Sequence, residues 1–369
     1  MDTPWGHLKN LDLADSGLCA AILAEDKHQL AEGLVVENLF DQIIDAVPGT
    51  LPRALTLDLE TAVVDARGTS GGWHAFVWAR SRQPGLGRYL NALGRRFRTW
   101  LIEYDREDGT FVTREWKDGT ATSGYRPLAV VMSELAGRHP QPVRVADAVR
   151  DPHRQKLSFW GFLADTYGDQ LGPRVVLPRL LLNHGIQPWF RAVWNLDRIL
   201  VREDDVWMLE IKHKFPFGRK ELRFGINTGE LGVIRLLGEA GIRCLHAILV
   251  KPSWTKDTGA SYLLNRLDLR ERAALIGVEL DAGRMRTMFA GQQRASPGHT
   301  TFSGSGELRF RSLPASSFGR IGLISERHHD LARQLAQALA GSGLPPVTDA
   351  WLRELRVTPL TTPAVRAPV

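Results

Sequence analysis

Two apolar runs flank four polar residues in NLDRILVREDDVWMLEIKHK, residues 195–214. Upstream, Leu196, Ile199, Leu200 and Val201 read as a strand. Downstream, Trp207, Leu209 and Ile211 alternate with Met208, Glu210 and Lys212, which sets Glu210 and Lys212 on one strand face. Arg202, Glu203, Asp204 and Asp205 read as a polar turn, so an antiparallel hairpin is expected. Symmetry about the middle of that turn places Asp197 directly opposite Glu210. Such cross-strand Cβ atoms lie roughly 4.5–5.5 Å apart. Two carboxylates at that separation repel, and a largely apolar hairpin gains nothing from them unless a cation intervenes.

A divalent cation resolves the repulsion. Mg2+ takes oxygen ligands and is commonly held by one or two carboxylates, with water and substrate phosphate completing its shell. Asp197 and Glu210 therefore suffice as side-chain ligands, the backbone carbonyl of Ile211 is a further candidate, and Mn2+ is expected to substitute. Lys212, one pleat along, is placed to orient or help deprotonate an attacking water, or to stabilise charge on a phosphate. The chemistry these residue types imply together is phosphodiester hydrolysis.

Asp197, its spacing to Glu210, Ile211 and Lys212, and the apolar strand, helix and strand expected around and after them resemble the PD-(D/E)XK nuclease superfamily, which includes many restriction endonucleases, resolvases and repair or defence nucleases. The resemblance covers about residues 157–252. In it Asp197 matches the first acidic residue, Glu210 the second and Lys212 the lysine. It implies Mg2+-dependent cutting of nucleic acid, and a restriction-endonuclease-like central mixed sheet flanked by helices. Leu196 stands where proline is common in the family. Many members also bring a glutamate from the preceding helix, but GPRVVLPRLLLNHG, residues 172–185, contains none. Asp165, Asp169 or, from the N-terminal region, Glu37 are the candidates for that place.

At 369 residues the chain exceeds what one hydrophobic core usually serves, so roughly two or three domains are expected. Residues 1–150 read as an N-terminal α+β domain: a helical stretch over 18–47 closing at Pro48 and Gly49, then the hairpins RALTLDLETAVV with GWHAFVWAR and RTWLIEYD with TFVTREW, with a short basic helix between them. Residues 151–258 form the expected nuclease core, with helices at 157–167 and 175–183 before the hairpin and a helix at 228–240 and the strand RCLHAILV after it. Residues 259–355 read as a C-terminal α/β region with helices at 262–276 and 326–340 and a strand pair from GELRFRSL and RIGLIS, and 356–369 as a flexible tail. The fold class is α/β, or α+β over the whole chain.

The net charge of +6, carried mostly by arginine, favours a polyanionic partner. Two basic segments supply candidate nucleic-acid contacts: Arg95, Arg96 and Arg98 in one, Lys214, Arg219 and Lys220 in the other. Asp58 and Glu60 in LTLDLET are expected on a solvated strand face with Leu55, Leu57 and Leu59 inward. Cys19 and Cys244 read as buried free thiols. No apolar run is long enough to span a bilayer, and MDTPWGHLKN lacks the pattern of a signal peptide, so a cytoplasmic protein without a membrane partner is expected. No GxxxxGK[ST] run argues for an ATP-driven motor. The expected activity is a metal-dependent nuclease acting on DNA, with a homodimer or a protein partner engaged through the flanking regions. The alternative is a non-catalytic nucleic-acid-binding or assembly subunit on the same scaffold.

Overall fold

A computed structural model describes residues 1–49, 54–68, 72–122, 124–142, 144–297 and 307–358. The N-terminal helical stretch is two helices, α1 (Ser16–Ala24) and α2 (His28–Ala46). They part at Asp26, whose buried carboxylate accepts from Arg179 at 2.5 Å, from Asn183 at 3.1 Å and from the Lys27 amide at 2.7 Å. Helix α2 buries Val35, Val36, Leu39, Phe40, Ile43 and Ile44, an i, i+4 stripe that faces the core.

Strand β1 (Ala54–Leu57) is followed by the antiparallel pair β2 (Leu59–Asp65) and β3 (Trp73–Ala79). The short helix α3 (Leu86–Leu93) crosses over to β4 (Arg98–Asp105), parallel to β3. Strand β5 (Thr110–Lys117) returns antiparallel through a turn at Gly109, whose φ of +56° is left-handed. Both expected hairpins therefore form. After α4 (Leu128–Ala136), the two helices expected at 157–167 and 175–183 are a succession of short α, 3-10 and widened turns from Pro152 to Trp189. Pro173, Pro178 and Pro188 withhold backbone donors there, and Gly168 turns left-handed.

Next come β6 (Val193–Leu196), β7 (Arg198–Arg202), β8 (Asp205–Lys214), β9 (Arg223–Asn227), α5 (Thr228–Glu239) and β10 (Ile242–Val250). The segment expected to be a helix over 262–276 is two single helical turns, and then β11 (Ala274–Glu279). Its run AALIGVEL is apolar but for Glu279, and periodicity alone cannot assign so short an apolar run. Helix α6 (Ala282–Ala290), β12 (Arg294–Pro297), β13 (Glu307–Pro314), β14 (Gly319–Leu323) and α7 (His328–Leu339) complete the order, before the short C-terminal helix Asp349–Leu355.

The central sheet runs β14-β11-β10-β8-β7-β1, parallel only between β8 and β10. A second sheet runs β6-β2-β3-β4-β5, and β9-β13-β12 form a third. The expected pairing of GELRFRSL with RIGLIS does not occur: β13 pairs with β9 and β12, and β14 with β11. Helix α2 covers one face of the central sheet, sharing a core with Trp207, Leu209 and Ile211. Helix α5 covers the other, through Leu231, Val233, Ile234 and Leu237 with Met208, Cys244 and Ile248. The molecule is mixed α+β with helices on both sides of a mixed sheet.

The boundaries expected near residues 150 and 258 do not separate cores. Strand β1 pairs with β7, β2 pairs with β6, and β11 and β14 extend the central sheet. Residues 1–150, 151–258 and 259–355 thus share sheets. At the C-terminal end, Val357 donates to the Pro252 carbonyl and Arg356 lies over Trp254. Residues 359–369, the rest of the expected tail, lie outside the described residues. No helix among the described residues is long and apolar enough to cross a membrane. Cys19 and Cys244 are buried free thiols, as expected.

Candidate active site

The run WNLDRILV, residues 194–201, read as one strand, divides at Asp197: β6 joins the second sheet and β7 the central one. Their partner divides likewise at Asp58, between β1 and β2. Leu57 faces Ile199 and Thr61 faces Leu196, so residues 58–60 stand opposite residues 197 and 198. One extra residue on the β1–β2 side makes a bulge, the usual device by which strands turn a corner between sheets. Asp197 sits on that corner.

Strands β7 and β8 pair from Arg202 with Asp205 to Arg198 with Leu209. The turn is shorter than the four residues expected, with only Glu203 and Asp204 between paired positions and Glu203 at φ +49°. Its centre is unchanged, so Asp197 falls opposite Glu210 one step beyond the last pair, as the sequence predicts. Strand β8 runs on alone along this edge, and the Ile211 amide, left without a strand partner there, donates to Asp197 Oδ2 at 2.7 Å. The carbonyl of a strand residue faces the same edge as its amide, so Ile211 C=O also points toward Asp197.

Lys212 Nζ lies 3.7 Å from Asp197 Oδ2 and forms an ion pair with Glu210 Oε1. Burial pushes the Glu210 carboxyl well above the usual carboxylate range, and Asp197 and Glu230 add to it against the opposing charge of Lys212. Burial alone would lower the Lys212 ammonium, but Asp197, Glu210 and Glu230 hold it well above its ordinary value. The site is a crowd of carboxylates around one ammonium.

Helix α2 brings a further acid. Arg198 pairs with Asp41 through two hydrogen bonds of 2.6 and 2.7 Å and lies 3.6 Å from Glu37. Burial lifts the Glu37 carboxyl to about 7, with Asp197 and Asp41 adding to the shift and Arg198 and Lys212 opposing it. Of the three candidates for the helix-borne glutamate, Glu37 is the one that lies in the field of Asp197 and Lys212.

One component was not singled out from the sequence. His246 of β10 is in register with Glu210, fully buried, with Nδ1 3.9 Å from Glu230 Oε1 on the first turn of α5. Both His246 ring nitrogens and Glu230 Oε1 lack a hydrogen-bond partner among the described residues. Burial, with Lys214 and Lys212 nearby, pushes the imidazole well below its ordinary pKa. A histidine inside the otherwise apolar CLHAILV was the available signal.

The expected nucleic-acid contacts divide. Arg219 and Lys220 are exposed on the loop that follows β8. Lys214 is turned inward, donating to the Gly225 carbonyl at 2.8 Å, and burial lowers its pKa. Arg95 donates to the Ala240 carbonyl at 3.1 Å, Arg96 lies 3.4 Å from Glu239, and Arg98 grips Glu115 through two 2.8 Å bonds while stacking on Trp100. Arg95 and Arg96 thus serve the C-terminal end of α5, whereas Glu230 belongs to its N-terminal end. Asp58 and Glu60 are not on a solvated face: Arg80 binds them at 2.8 and 2.7 Å, and Arg174 reaches Asp58 at 3.1 Å. Leu55, expected inward, is exposed.

Among the described residues no three His, Cys, Asp or Glu side chains converge as a metal-ligand group. The donor set nevertheless fits Mg2+. Two carboxylates within reach of a single ammonium, with a strand carbonyl beside them, match an ion that takes few protein oxygens and keeps several waters. No protein-family model, curated protein or solved structure matches the chain.

Proposed function

We propose that Asp197, Glu210 and Lys212 form the centre of a metal-dependent nuclease of the PD-(D/E)XK type that hydrolyses phosphodiester bonds in nucleic acid, with DNA as the substrate. The observation that carries this reading is the convergence of Asp197 and Glu210 on Lys212 at the corner where β7 gives way to β6. The element order around it supports the family resemblance: helix α2, the strands β1–β2, β7 and β8, helix α5 and the parallel strand β10.

Asp197 and Glu210, with the Ile211 carbonyl, would hold Mg2+ or Mn2+. Bound there, the ion would neutralise charge on the scissile phosphate and lower the pKa of a water. Lys212 offers its ammonium to that water or to a phosphate oxygen. Glu37 is the acid that α2 brings beside Asp197, and with a pKa of about 7 it can hold or release a proton near neutrality. Arg219 and Lys220, exposed just past the catalytic strand, contact the nucleic-acid backbone. Cutting both strands of a duplex calls for two centres, which a homodimer supplies.

One observation favours a second reading. Lys212 bridges the two acids and, among the described residues, no third His, Cys, Asp or Glu side chain converges with them, the arrangement of a non-catalytic nucleic-acid-binding subunit that has kept a nuclease scaffold. Incubation with plasmid, linear and single-stranded DNA and with RNA, in Mg2+ or Mn2+, separates the two. Cleavage by the wild type that is abolished in Asp197→Ala and Lys212→Ala supports the enzyme. Metal-independent binding with no cleavage of any substrate supports the scaffold.

A further inference from the structure

A cavity of about 1000 Å³ opens beside the second sheet, outside the candidate active site. That volume is at the upper end of the roughly 300–1,000 Å³ of small-molecule sites. Arg80, Arg82, Arg106 and Arg114 line it, against a single carboxylate, Glu103, among the described residues. Two of these arginines already have acids: Arg80 binds Asp58 and Glu60, and Arg114 lies 3.5 Å from Glu103. Arg82 and Arg106 are exposed, with no ion-pair partner among the described residues. The cavity therefore keeps a positive surplus at its mouth.

Its lining also holds aromatic surface. Trp78, Tyr104 and Trp116 line the same space. Positive charge and aromatic rings together match a ligand with an aromatic ring and a phosphate.

We propose that this cavity binds a nucleotide, its base against the tryptophan and tyrosine rings and its phosphate against Arg82 and Arg106. The ligand is a free mononucleotide or an unpaired nucleotide within a strand. The second source extends the nuclease reading and rests on it, because Arg80 anchors the cavity wall to Asp58, on the corner that also carries Asp197. A strand with one nucleotide in the cavity would be held beside the proposed centre.

Full-length protein in EDTA is titrated with AMP, read by tryptophan quenching, and with a short fluorescein-labelled oligothymidylate, read by anisotropy. The wild type is expected to bind, and Arg82→Glu/Arg106→Glu at least tenfold more weakly. Because Arg82 and Arg106 are exposed, folding is expected to survive their replacement, which circular dichroism checks. Binding of AMP assigns the free nucleotide as ligand; binding of the oligonucleotide alone assigns the strand. Affinities within twofold of wild type in the double variant, or no binding of either probe, overturn the proposal. Arginine-dependent binding in a protein that cleaves nothing leaves the cavity assignment standing and removes only the nuclease.

Discussion

Asp197 accepts the amide of Ile211, a residue fourteen positions later on the neighbouring strand. The bond exists because β7 stops at Arg198, leaving the edge of β8 without a backbone partner. A side-chain carboxylate takes the place of a missing carbonyl, and the same carboxylate is thereby fixed beside Lys212. Structure and proposed chemistry share one group.

Replacing that group separates the two roles. Asp197→Asn keeps an acceptor for the Ile211 amide, while Asp197→Ala leaves it unpaired. Alanine is expected to cost about 1–2 kcal/mol more than asparagine in urea unfolding, the scale of an unsatisfied partly buried donor. Both are expected to abolish divalent-ion uptake. Equal stability of the two variants would show that the hydrogen bond carries no weight.

Lys212→Ala removes the cation that offsets Glu210. The Glu210 pKa is already raised in the fold, so its contribution to stability is full below the unfolded carboxylate value and falls as pH rises toward the folded one. Without Lys212 that pKa rises further. Melting temperatures of the variant are expected to drop more, relative to wild type, at about pH 8 than at about pH 5, and to recover when Mn2+ is added. A loss independent of pH and of Mn2+ would contradict this.

Glu37 carries a similar dependence in a defined window. Its carboxyl is raised to about 7, above the unfolded value near 4.3, so its stabilising share is complete at low pH and disappears as pH rises through about 7. Glu37→Gln is expected to flatten the decline in urea midpoint between about pH 5 and 7. Parallel profiles for the two proteins would rule the shift out.

Arg198 ties β7 to α2 through Asp41 and Glu37. Arg198→Ala strands two acids in a largely buried place, at an expected cost of about 3 kcal/mol in chemical denaturation. Arg198→Lys is expected to recover only part of it, since a point charge cannot reproduce the two-pronged contact with Asp41. Full recovery by lysine would show that charge alone suffices.

The pairing of Asp197 with Glu210 was legible because a hairpin's centre fixes its register, whichever turn length is drawn around it. The corner at Asp197 was not, since Val193 to Arg202 keeps strand character on both sides of the switch. Nor were the shared sheets: β1 and β7 lie far apart in sequence, and period-two patterning does not name a partner. The roles of Arg95, Arg96 and Arg98 depended on Ala240, Glu239 and Glu115, which only the fold brings near. Glu37 could be named only as one of three candidates, because the helix that faces the site precedes the hairpin by more than a hundred residues.

Mn2+ titration of the metal-free protein, followed by electron paramagnetic resonance, asks most directly whether the facing acids share an ion. Wild-type protein is expected to take up Mn2+ at a site that disappears in both Asp197→Ala and Glu210→Gln, with folding intact by circular dichroism. Uptake that persists unchanged in either variant, or no uptake by the folded wild type, would contradict a metal centre at this corner.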